Sequence, residues 1–393
     1  MSGAGNNLGL FREEKTASAP VQYSNTGILA HQALHALIAE GEVASLTKIT
    51  DDQIQPASLD LRLGKRAYRV RASFLPGPNS TVMERVRELD GLPAIDLTNE
   101  GGAVLEKGAV YVVELLESVR LTNGLVGIAN PKSSTGRLDV LTRLITDRAV
   151  AFDRIERGYT GPLYVEVAPL SFSVVVREGS RLNQLRFQRG TPTLAGSEVQ
   201  RLYQEGQLAR ADGQLTPLRD KWVPVTVDLL GDSAHAIVGY KAKKNTNKID
   251  VDRPGTYDPR DFWDRIERTN GRLNLDRDDF YILGSREQIG VPPHLAAEMV
   301  PYDSSSGEFR VHYAGFFDPG FGWSEGRAGG SRAVLEVRSY GVSFTLEHNQ
   351  IVGWLNYSPV ASGAPDKIYG SKIGSNYQGQ GIALAKHFKP YTR

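Results

Sequence analysis

The chain has 393 residues, of which 40% are hydrophobic and 23% charged, with a net charge of +1 and no cysteine. This length suits two domains of roughly 150–200 residues each, and the small net charge argues against a surface that binds duplex nucleic acid. The lack of cysteine excludes disulfides, thiolate nucleophiles and every zinc site with a cysteine ligand.

The predicted elements begin after residue 25. Residues 1–25 lack the apolar core of a signal peptide, and we expect a mobile tail there. In GILAHQALHALIAEGEV, Leu34 and Leu37 fall on one face, which predicts a helix that ends near Gly41. Later segments are short and alternate between apolar and polar residues, which predicts a mainly β chain. No run of about 18 apolar residues occurs, so we expect a cytoplasmic protein without membrane contact.

Two parts of the chain resemble each other at an offset near 170 residues. PASLDLRLG at 56–64 returns as PVTVDLLGD at 224–232, and YVVELLESVRLTNGLVG at 111–127 returns as YILGSREQIGVPPHLAA at 281–297. Glu166 then matches Glu336, since 336 − 166 = 170. We interpret this as a duplicated β domain, at 26–212 and 213–393, rather than chance similarity among β-rich segments.

The segment PKSSTGRLDV at 131–140 concentrates hydroxyl groups and cations. Ser133 and Ser134 can donate hydrogen bonds, Arg137 offers a planar fork that suits phosphate oxygens, and Lys132 adds a point charge. This composition indicates either an anion-binding arm or a solvated polar turn.

Glu166 interrupts an apolar predicted strand, and Glu336 has the same position in the second copy. A carboxyl on a half-buried strand can have a raised pKa and can act as an acid or base near neutral pH. The alternative is a glutamate on the solvated face of a sheet. Its recurrence in both copies favours the catalytic interpretation.

The segment HQALH places His31 and His35 one helical turn apart, as in helical zinc sites. Gln32 stands where such zinc enzymes carry a glutamate, so we interpret both histidines as surface residues and expect no metal site. Zinc-dependent base deaminases need cysteine ligands, and their chemistry is excluded here.

Several segments together resemble the dCTP deaminase family, within the dUTPase-like superfamily. ILAHQALHALIAEGEV resembles the family's opening helix, PASLDLRLG its first strand, and PKSSTGRLDV its phosphate arm. ERGYTGPLYVEV and FDPGFGW…RAVLEV resemble its I-D-P-G-F-x-G…L-E segment, and NYQGQG at 376–381 resembles its C-terminal tail. The resemblance covers most of 27–393. It implies a tandem pair of dUTPase-like barrels or sandwiches of the β-clip type with a short N-terminal helix, as in the family's double-domain bacterial form.

The resemblance implies zinc-independent hydrolysis of dCTP to dUTP and ammonia. In the family a strand glutamate activates water and shuttles its proton to the pyrimidine, and the matching residues are Glu166 and Glu336. Arg137 would organise the site. The remaining matches imply contacts with the nucleotide: Lys132, Ser133, Ser134, Glu156, Asp318, Tyr377 and Gln380. Mg2+ would arrive with the triphosphate, dTTP or dUTP could also bind, and the chains would form a homotrimer.

The second copy departs from the family's arm, with an acidic residue opposite Ser133 and a glycine opposite Arg137. We therefore expect the active site in the first copy, with Glu166. If the two copies face each other instead, Ser133 and Arg137 would meet Glu336. A dUTPase-like diphosphatase, or a bifunctional enzyme that forms dUMP, is an alternative because PKSSTGR and ERGYTG also resemble motifs of that relative. A catalytically inactive nucleotide-binding module is a further alternative.

Overall fold

The computed structural model describes residues 26–89, 93–122, 124–231, 236–301, 309–311, 315–324, 326–361, 363–370 and 381–391. The N-terminal tail expected at 1–25 lies outside these described residues, as do Tyr377 and Gln380. Within the described ranges, no helix has the length and apolar character needed to cross a membrane.

The first half of the chain consists of short strands and three helices. Its strands are β1 (Gly27–Ile28), β2 (Val43–Ser45), β3 (Leu59–Leu61), β4 (Leu63–Val70), β5 (Ile95–Asp96), β6 (Ala103–Leu105), β7 (Val110–Arg120), β8 (Leu125–Pro131), β9 (Val140–Thr146), β10 (Arg154–Ile155), β11 (Thr160–Pro169), β12 (Val174–Val176) and β13 (Asn183–Arg189). Its helices are α1 (His31–Ala39), α2 (Val82–Glu88) and α3 (Ser133–Gly136), with a 3-10 turn at Asp51–Gln53.

The second half begins with helix α4 (Gly196–Gln204) and is otherwise built from strands, with a 3-10 turn at Pro259–Asp261. Its strands are β14 (Ala209–Ala211), β15 (Gln214–Leu215), β16 (Val223–Thr226), β17 (Ile237–Ala242), β18 (Ile249–Asp250), β19 (Trp263–Glu267), β20 (Arg272–Leu275), β21 (Phe280–Ile289), β22 (Leu295–Pro301), β23 (Phe309–Val311), β24 (Phe316–Phe317), β25 (Trp323–Ser324), β26 (Arg327–Ala328), β27 (Ser331–Ser339), β28 (Phe344–Glu347) and β29 (Ile351–Pro359). The prediction of a mainly β chain is confirmed.

The two halves repeat one sheet arrangement in the same register. In the first half, Glu166 of β11 lies opposite Val112 of β7. In the second half, Glu336 of β27 lies opposite Ile282 of β21. Both members of the pair are displaced by 170 residues (336 − 166 and 282 − 112). The predicted tandem pair of β domains is confirmed.

Two large hydrophobic cores follow from this repeat. The first core also takes in Trp263 and Phe388 from the second half, so the two halves bury apolar surface against each other. Val199, Leu202 and Leu208 pack in the second core. The side chains from Val199 onward therefore already belong to the second core, although the sequence predicted the domain boundary between residues 212 and 213.

Both faces of β11 are buried from Leu163 to Pro169, so the half-buried strand suggested for Glu166 is wrong, as is the alternative of a solvated face. Helix α2 causes the difference, because its Val82 and Val86 pack with Tyr164 on the second face of the sheet. A capping box starts the helix: the Thr81 N–H donates to the Glu84 carboxylate over 2.7 Å, and the Glu84 N–H donates to the Thr81 hydroxyl over 3.3 Å. The sequence TVME carries this signal.

Candidate active site

The PKSSTGR segment forms a tight turn between β8 and β9. The Arg137 N–H donates to the Ser133 carbonyl over 3.1 Å at the end of α3. Ser134 and Arg137 are buried at 8% and 4% exposure, whereas Ser133 is exposed. Asp139 follows with a φ of +55°, a left-handed conformation that aspartate tolerates better than most residues. The turn thus directs Arg137 and Asp139 into the protein rather than into solvent.

The C-terminal segment 381–391 lies against this turn. Arg137 donates through Nη1 to the Ala383 carbonyl over 3.0 Å. The neighbouring Ile382 passes over Gly284 of β21, where a Cβ atom would lie only 2.6 Å from Ile382 Cγ1. Phe388 holds the segment through an edge-to-face contact with Trp263, with ring centroids 5.9 Å apart. A glycine at position 284 therefore allows the tail to reach the arm.

Glu336 faces the first-copy arm across the contact between the halves. Burial leaves this side chain 5% exposed and raises the pKa of its carboxyl to about 8. The Arg137 guanidinium lowers this pKa, and the Asp139 carboxylate raises it further. The structure thus brings Arg137 of the arm close to Glu336 of the opposite half, whereas Glu166 pairs with Arg143. The site expected within the first copy, with Glu166, stays a prediction.

An ion pair between Arg338 and Asp139 lies beside Glu336. Arg338 points to the same side of β27 as Glu336, two residues away, and its Nη2 donates to Asp139 Oδ2. It also donates to the Ser171 hydroxyl over 3.1 Å, and that hydroxyl donates to Asp139 Oδ2 over 2.6 Å. Asp139 and Arg338 are 0% and 6% exposed. This buried contact fixes β27 against the arm.

Glu166 has a different environment, although its strand position is the same. The Arg143 guanidinium on the adjacent strand donates to Glu166 Oε1 through Nε over 3.0 Å. Arg143 also donates to the Ser73 hydroxyl over 2.6 Å and stacks 3.8 Å above the Phe152 ring. An arginine and its neighbours therefore occupy the place where the second copy presents Glu336 to the arm.

Glu156 and Asp318, which the resemblance placed in contact with the nucleotide, also lie in different environments. Glu156 is exposed and pairs with Arg154 over 2.7 Å. Asp318 is nearly buried and pairs with Arg186 of the first half over 3.2 Å. Burial raises the pKa of Asp318, the Arg186 charge lowers it, and Asp60 and Lys132 act on it more weakly. Asp318 therefore lies near the first-copy arm, as Glu336 does.

A polar cavity of about 300 Å³ opens between the halves next to the arm. Its cations are Lys132, Arg181 and Lys386, and Ser134 supplies a hydroxyl. The other lining residues are Asp60, Thr135, Leu138, Val140, Gly179, Leu182, Val251, Asp252, Pro254 and His387. Arg181 and Lys386 stand outside the motifs recognisable in the sequence, so the sequence alone does not predict their place here. Cations and hydroxyls in one cavity suit a phosphate group.

The Lys386 ammonium shows how cationic this cavity is. Burial lowers the pKa of Lys386, and the nearby Lys132 and Arg181 charges lower it further, while Asp60 and Asp252 raise it. Lys132 itself contacts Asp60 Oδ1. An anion that enters the cavity would relieve the repulsion among these cations.

Of the two helix histidines, only His35 lies at the surface. His31 is 6% exposed, so its assignment as a surface residue is wrong. The helix turns it inward because Leu34 and Leu37, on the same side, are part of the core.

Comparison with known proteins gives one consistent family. The N-terminal and C-terminal domains of 2'-deoxycytidine 5'-triphosphate deaminase match residues 25–191 and 195–388. The crystal structure of this deaminase from Agrobacterium tumefaciens is similar with a TM-score of 0.79 and 50% identity, over 86% of this chain and 100% of that chain.

More distant relatives match part of the chain. The "dCTP deaminase, dUMP-forming" of Halobacterium salinarum is 29% identical over 165 residues, 41% of this chain and 79% of that protein. A relative of the same description from Parafrankia sp. is 30% identical over 167 residues, 42% of this chain and 78% of that protein. The "dCTP deaminase" of Halorubrum lacusprofundi is 27% identical over 152 residues, 38% of this chain and 71% of that protein. The chain therefore belongs to the dCTP deaminase family and is an enzyme of that family.

Proposed function

We propose that the protein hydrolyses dCTP to dUTP and ammonia at a site shared by its two halves, with Glu336 as the acid–base residue. The observation that carries this proposal is the approach of Glu336 to Arg137 of the opposite half, in a chain of the dCTP deaminase family. Among the described residues, the arm of the first half faces the glutamate of the second half, and Glu166 pairs with Arg143 instead.

The chemistry requires one group that both takes and gives a proton. Glu336 as a carboxylate would remove a proton from water while the water oxygen adds to C4 of the cytosine. The resulting carboxylic acid would give that proton to N3. The restored carboxylate would then take the proton of the new C4 hydroxyl and pass it to the amino nitrogen, so that the C4 carbonyl forms as the C4–N bond breaks and ammonia leaves. A pKa near the working pH gives both protonation states a useful population, and burial supplies that pKa here. Arg137 would hold the carboxylate in place.

The triphosphate would lie in the cavity beside the arm. Ser134 would donate its hydroxyl, and the cations Lys132, Arg181 and Lys386 would neutralise phosphate charge. Ser133 at the exposed edge of the arm would contact the outermost phosphate, and Asp318 would bind on the sugar side. Tyr377 and Gln380 lie outside the described residues, and their closure over the nucleotide stays part of the proposal.

The cavity also suits a magnesium ion that enters with the triphosphate. Asp60 and Asp252 line its wall and offer the hard oxygen ligands that Mg2+ prefers. Mg2+ supplies charge neutralisation of the phosphates when bound. Lys132, which contacts Asp60 in this structure, would then turn to the phosphates.

The test compares two glutamates in the same register. We would incubate the full chain with dCTP and Mg2+, with a zinc-selective chelator present, and separate the nucleotides. Glu336→Gln should lower kcat at least about 10³-fold without unfolding the protein, because glutamine cannot transfer the proton. Glu166→Gln is the matched control and should keep kcat within about threefold. Equal activity of both variants and the parent would exclude this mechanism.

The same product analysis distinguishes simple deamination from the bifunctional reaction that forms dUMP. Two of the relatives carry the description "dCTP deaminase, dUMP-forming", which favours dUMP as a second candidate product. Accumulation of dUTP would establish deamination alone, whereas dUMP with pyrophosphate would establish the bifunctional reaction. Cytoplasmic location, a homotrimer and the binding of dTTP or dUTP also belong to the proposal, and light scattering of the purified protein would measure the number of chains.

A further inference from the structure

We propose that His31, His35 and Asp51 form a structural site for a divalent transition metal of the zinc class, separate from the nucleotide cavity. The three side chains offer ligand atoms that all lie within 4.8 Å of one another. None of the three lines the cavity between the halves. The inference does not depend on the proposed deamination.

The distances are close to those of a zinc site. Asp51 Oδ1 lies 3.7 Å from His31 Nε2 and 3.2 Å from His35 Nε2. Zinc bonds of about 2.0–2.1 Å in a tetrahedron place neighbouring ligand atoms about 3.3–3.4 Å apart. Small rotations of the two rings would therefore complete three corners, and water would take the fourth.

The histidine rings are held where such a site needs them. They are four residues apart on α1 and so share one face of the helix, with ring centroids 4.6 Å apart. The His31 N–H donates to the Pro56 carbonyl over 2.9 Å, which fixes the start of the helix.

Asp51 is held independently of α1, by the 3-10 turn that it opens. Gln53 of that turn is fully buried and donates to the Asp60 carbonyl over 3.1 Å. Two separately anchored elements thus present the three ligands, so a bound metal would link α1 to the turn.

An unsatisfied group points to a missing ligand. His31 is 6% exposed, and neither of its ring nitrogens has a hydrogen-bond partner among the described residues. A buried imidazole without partners costs free energy, and a metal bond would satisfy one nitrogen. Imidazole and carboxylate together favour Zn2+, Co2+ or Ni2+ over Mg2+ and Ca2+.

Lys367 already neutralises part of the negative charge of Asp51. Its ammonium contacts Asp51 Oδ2, whereas the histidines face Oδ1 of the same carboxylate. The oxygen that the metal would use is therefore the one turned away from the lysine. The Lys367 charge still opposes a nearby cation, so its removal should strengthen metal binding.

The first experiment measures metal uptake by the tag-free full chain after dialysis against a chelator. Zn2+ alone, titrated against a chromophoric competitor, should bind at one equivalent per chain, and Co2+ alone should give the intense visible bands of a tetrahedral site. Saturating Zn2+ should raise the midpoint of thermal unfolding by on the order of 3 °C. The absence of a one-equivalent site would overturn the proposal.

Variants then identify the ligands. His35→Gln and Asp51→Asn change exposed side chains and should each weaken Zn2+ binding at least about tenfold, while Glu40→Gln at the end of the same helix should not. Lys367→Met should tighten binding several-fold, with exposed Lys107→Met as the control for a lost charge. Zn2+ affinity that His35→Gln and Asp51→Asn leave unchanged would also overturn the site.

Discussion

The Asp139 carboxylate of the first half accepts a hydrogen bond from Arg338 of the second half, 199 residues further along the chain. Arg137 and Glu336, which interact electrostatically beside this pair, have the same separation (336 − 137 = 199). Each pair takes one member from the arm and one from β27. The two contacts are therefore displaced together by two residues on each element, and any shift of β27 along the arm would break both.

The first prediction concerns the strength of this contact. Asp139→Asn should leave the Arg338 guanidinium buried without its carboxylate, and should lower the free energy of unfolding by about 3–5 kcal/mol. Arg338→Met should also destabilise, but the double variant should lose clearly less than the sum of the two. Urea denaturation of the four proteins gives the coupling energy directly. A coupling below about 0.5 kcal/mol would contradict a structural role for the contact.

The second prediction is the pH dependence of catalysis. The general base must be deprotonated in the free enzyme, and burial raises the pKa of Glu336 to about 8. The value of kcat/KM for dCTP should therefore rise about tenfold per pH unit below pH 8 and become constant above it. Steady-state rates in buffers from pH 6 to 9.5 test this. Glu166→Gln should show the same profile, and a flat profile in the parent enzyme would argue against Glu336 as the base.

The third prediction uses the same pKa but measures stability. Glu336 in the folded protein keeps a proton up to about pH 8, whereas in the unfolded chain it releases the proton near its ordinary pKa of 4.5. The stability that the folded protein gains from the raised pKa of Glu336 is therefore fully present below about pH 4.5 and is lost as the pH rises through 8. The free energy of unfolding should fall by up to about 1.4 kcal/mol per pH unit in that window.

Glu336→Gln removes the titrating group and provides the control for this stability measurement. The difference in unfolding free energy between the variant and the parent should grow from pH 5 to pH 8. If the two proteins keep a constant difference over this range, the carboxyl does not titrate there.

The fourth prediction concerns the tail. Gly284→Ala places a methyl group against Ile382 and should move the segment that supplies the Ala383 carbonyl to Arg137. We expect kcat/KM for dCTP to fall about tenfold, because a small misplacement of a positioning group is costly. Gly196→Ala, where a Cβ atom meets nothing within 4 Å, should have no effect. Recovery in the Gly284→Ala/Ile382→Ala double variant would show that the steric contact is the cause.

Much of this architecture was predictable from local patterns. The 170-residue offset between similar segments predicted the duplication. When a pair of strands is duplicated, both strands move by the same number of residues, so their register is kept. The composition of PKSSTGR left an anion-binding arm and a solvated polar turn open, and the burial of Ser134 and Arg137 argues against the solvated turn. These inferences depend on residues that are close in sequence.

The partner of the arm was not predictable in this way. Glu166 and Glu336 occur in equivalent strands, and each lies between two apolar neighbours. What separates them is distant in sequence: Arg143 and Phe152 occupy the Glu166 side, while the first half itself covers the Glu336 side. Arg181 and Lys386 were missed for the same reason, since only folding brings them to one cavity.

Helix α2 has a consequence for how many nucleotides one polypeptide holds. By covering the face of β11, it takes in the first half the place that the arm takes against β27 in the second. Two equivalent glutamates are present, yet among the described residues Glu336 alone faces an arm, because Glu166 pairs with Arg143. The proposed shared site therefore predicts a stoichiometry of one dCTP per chain.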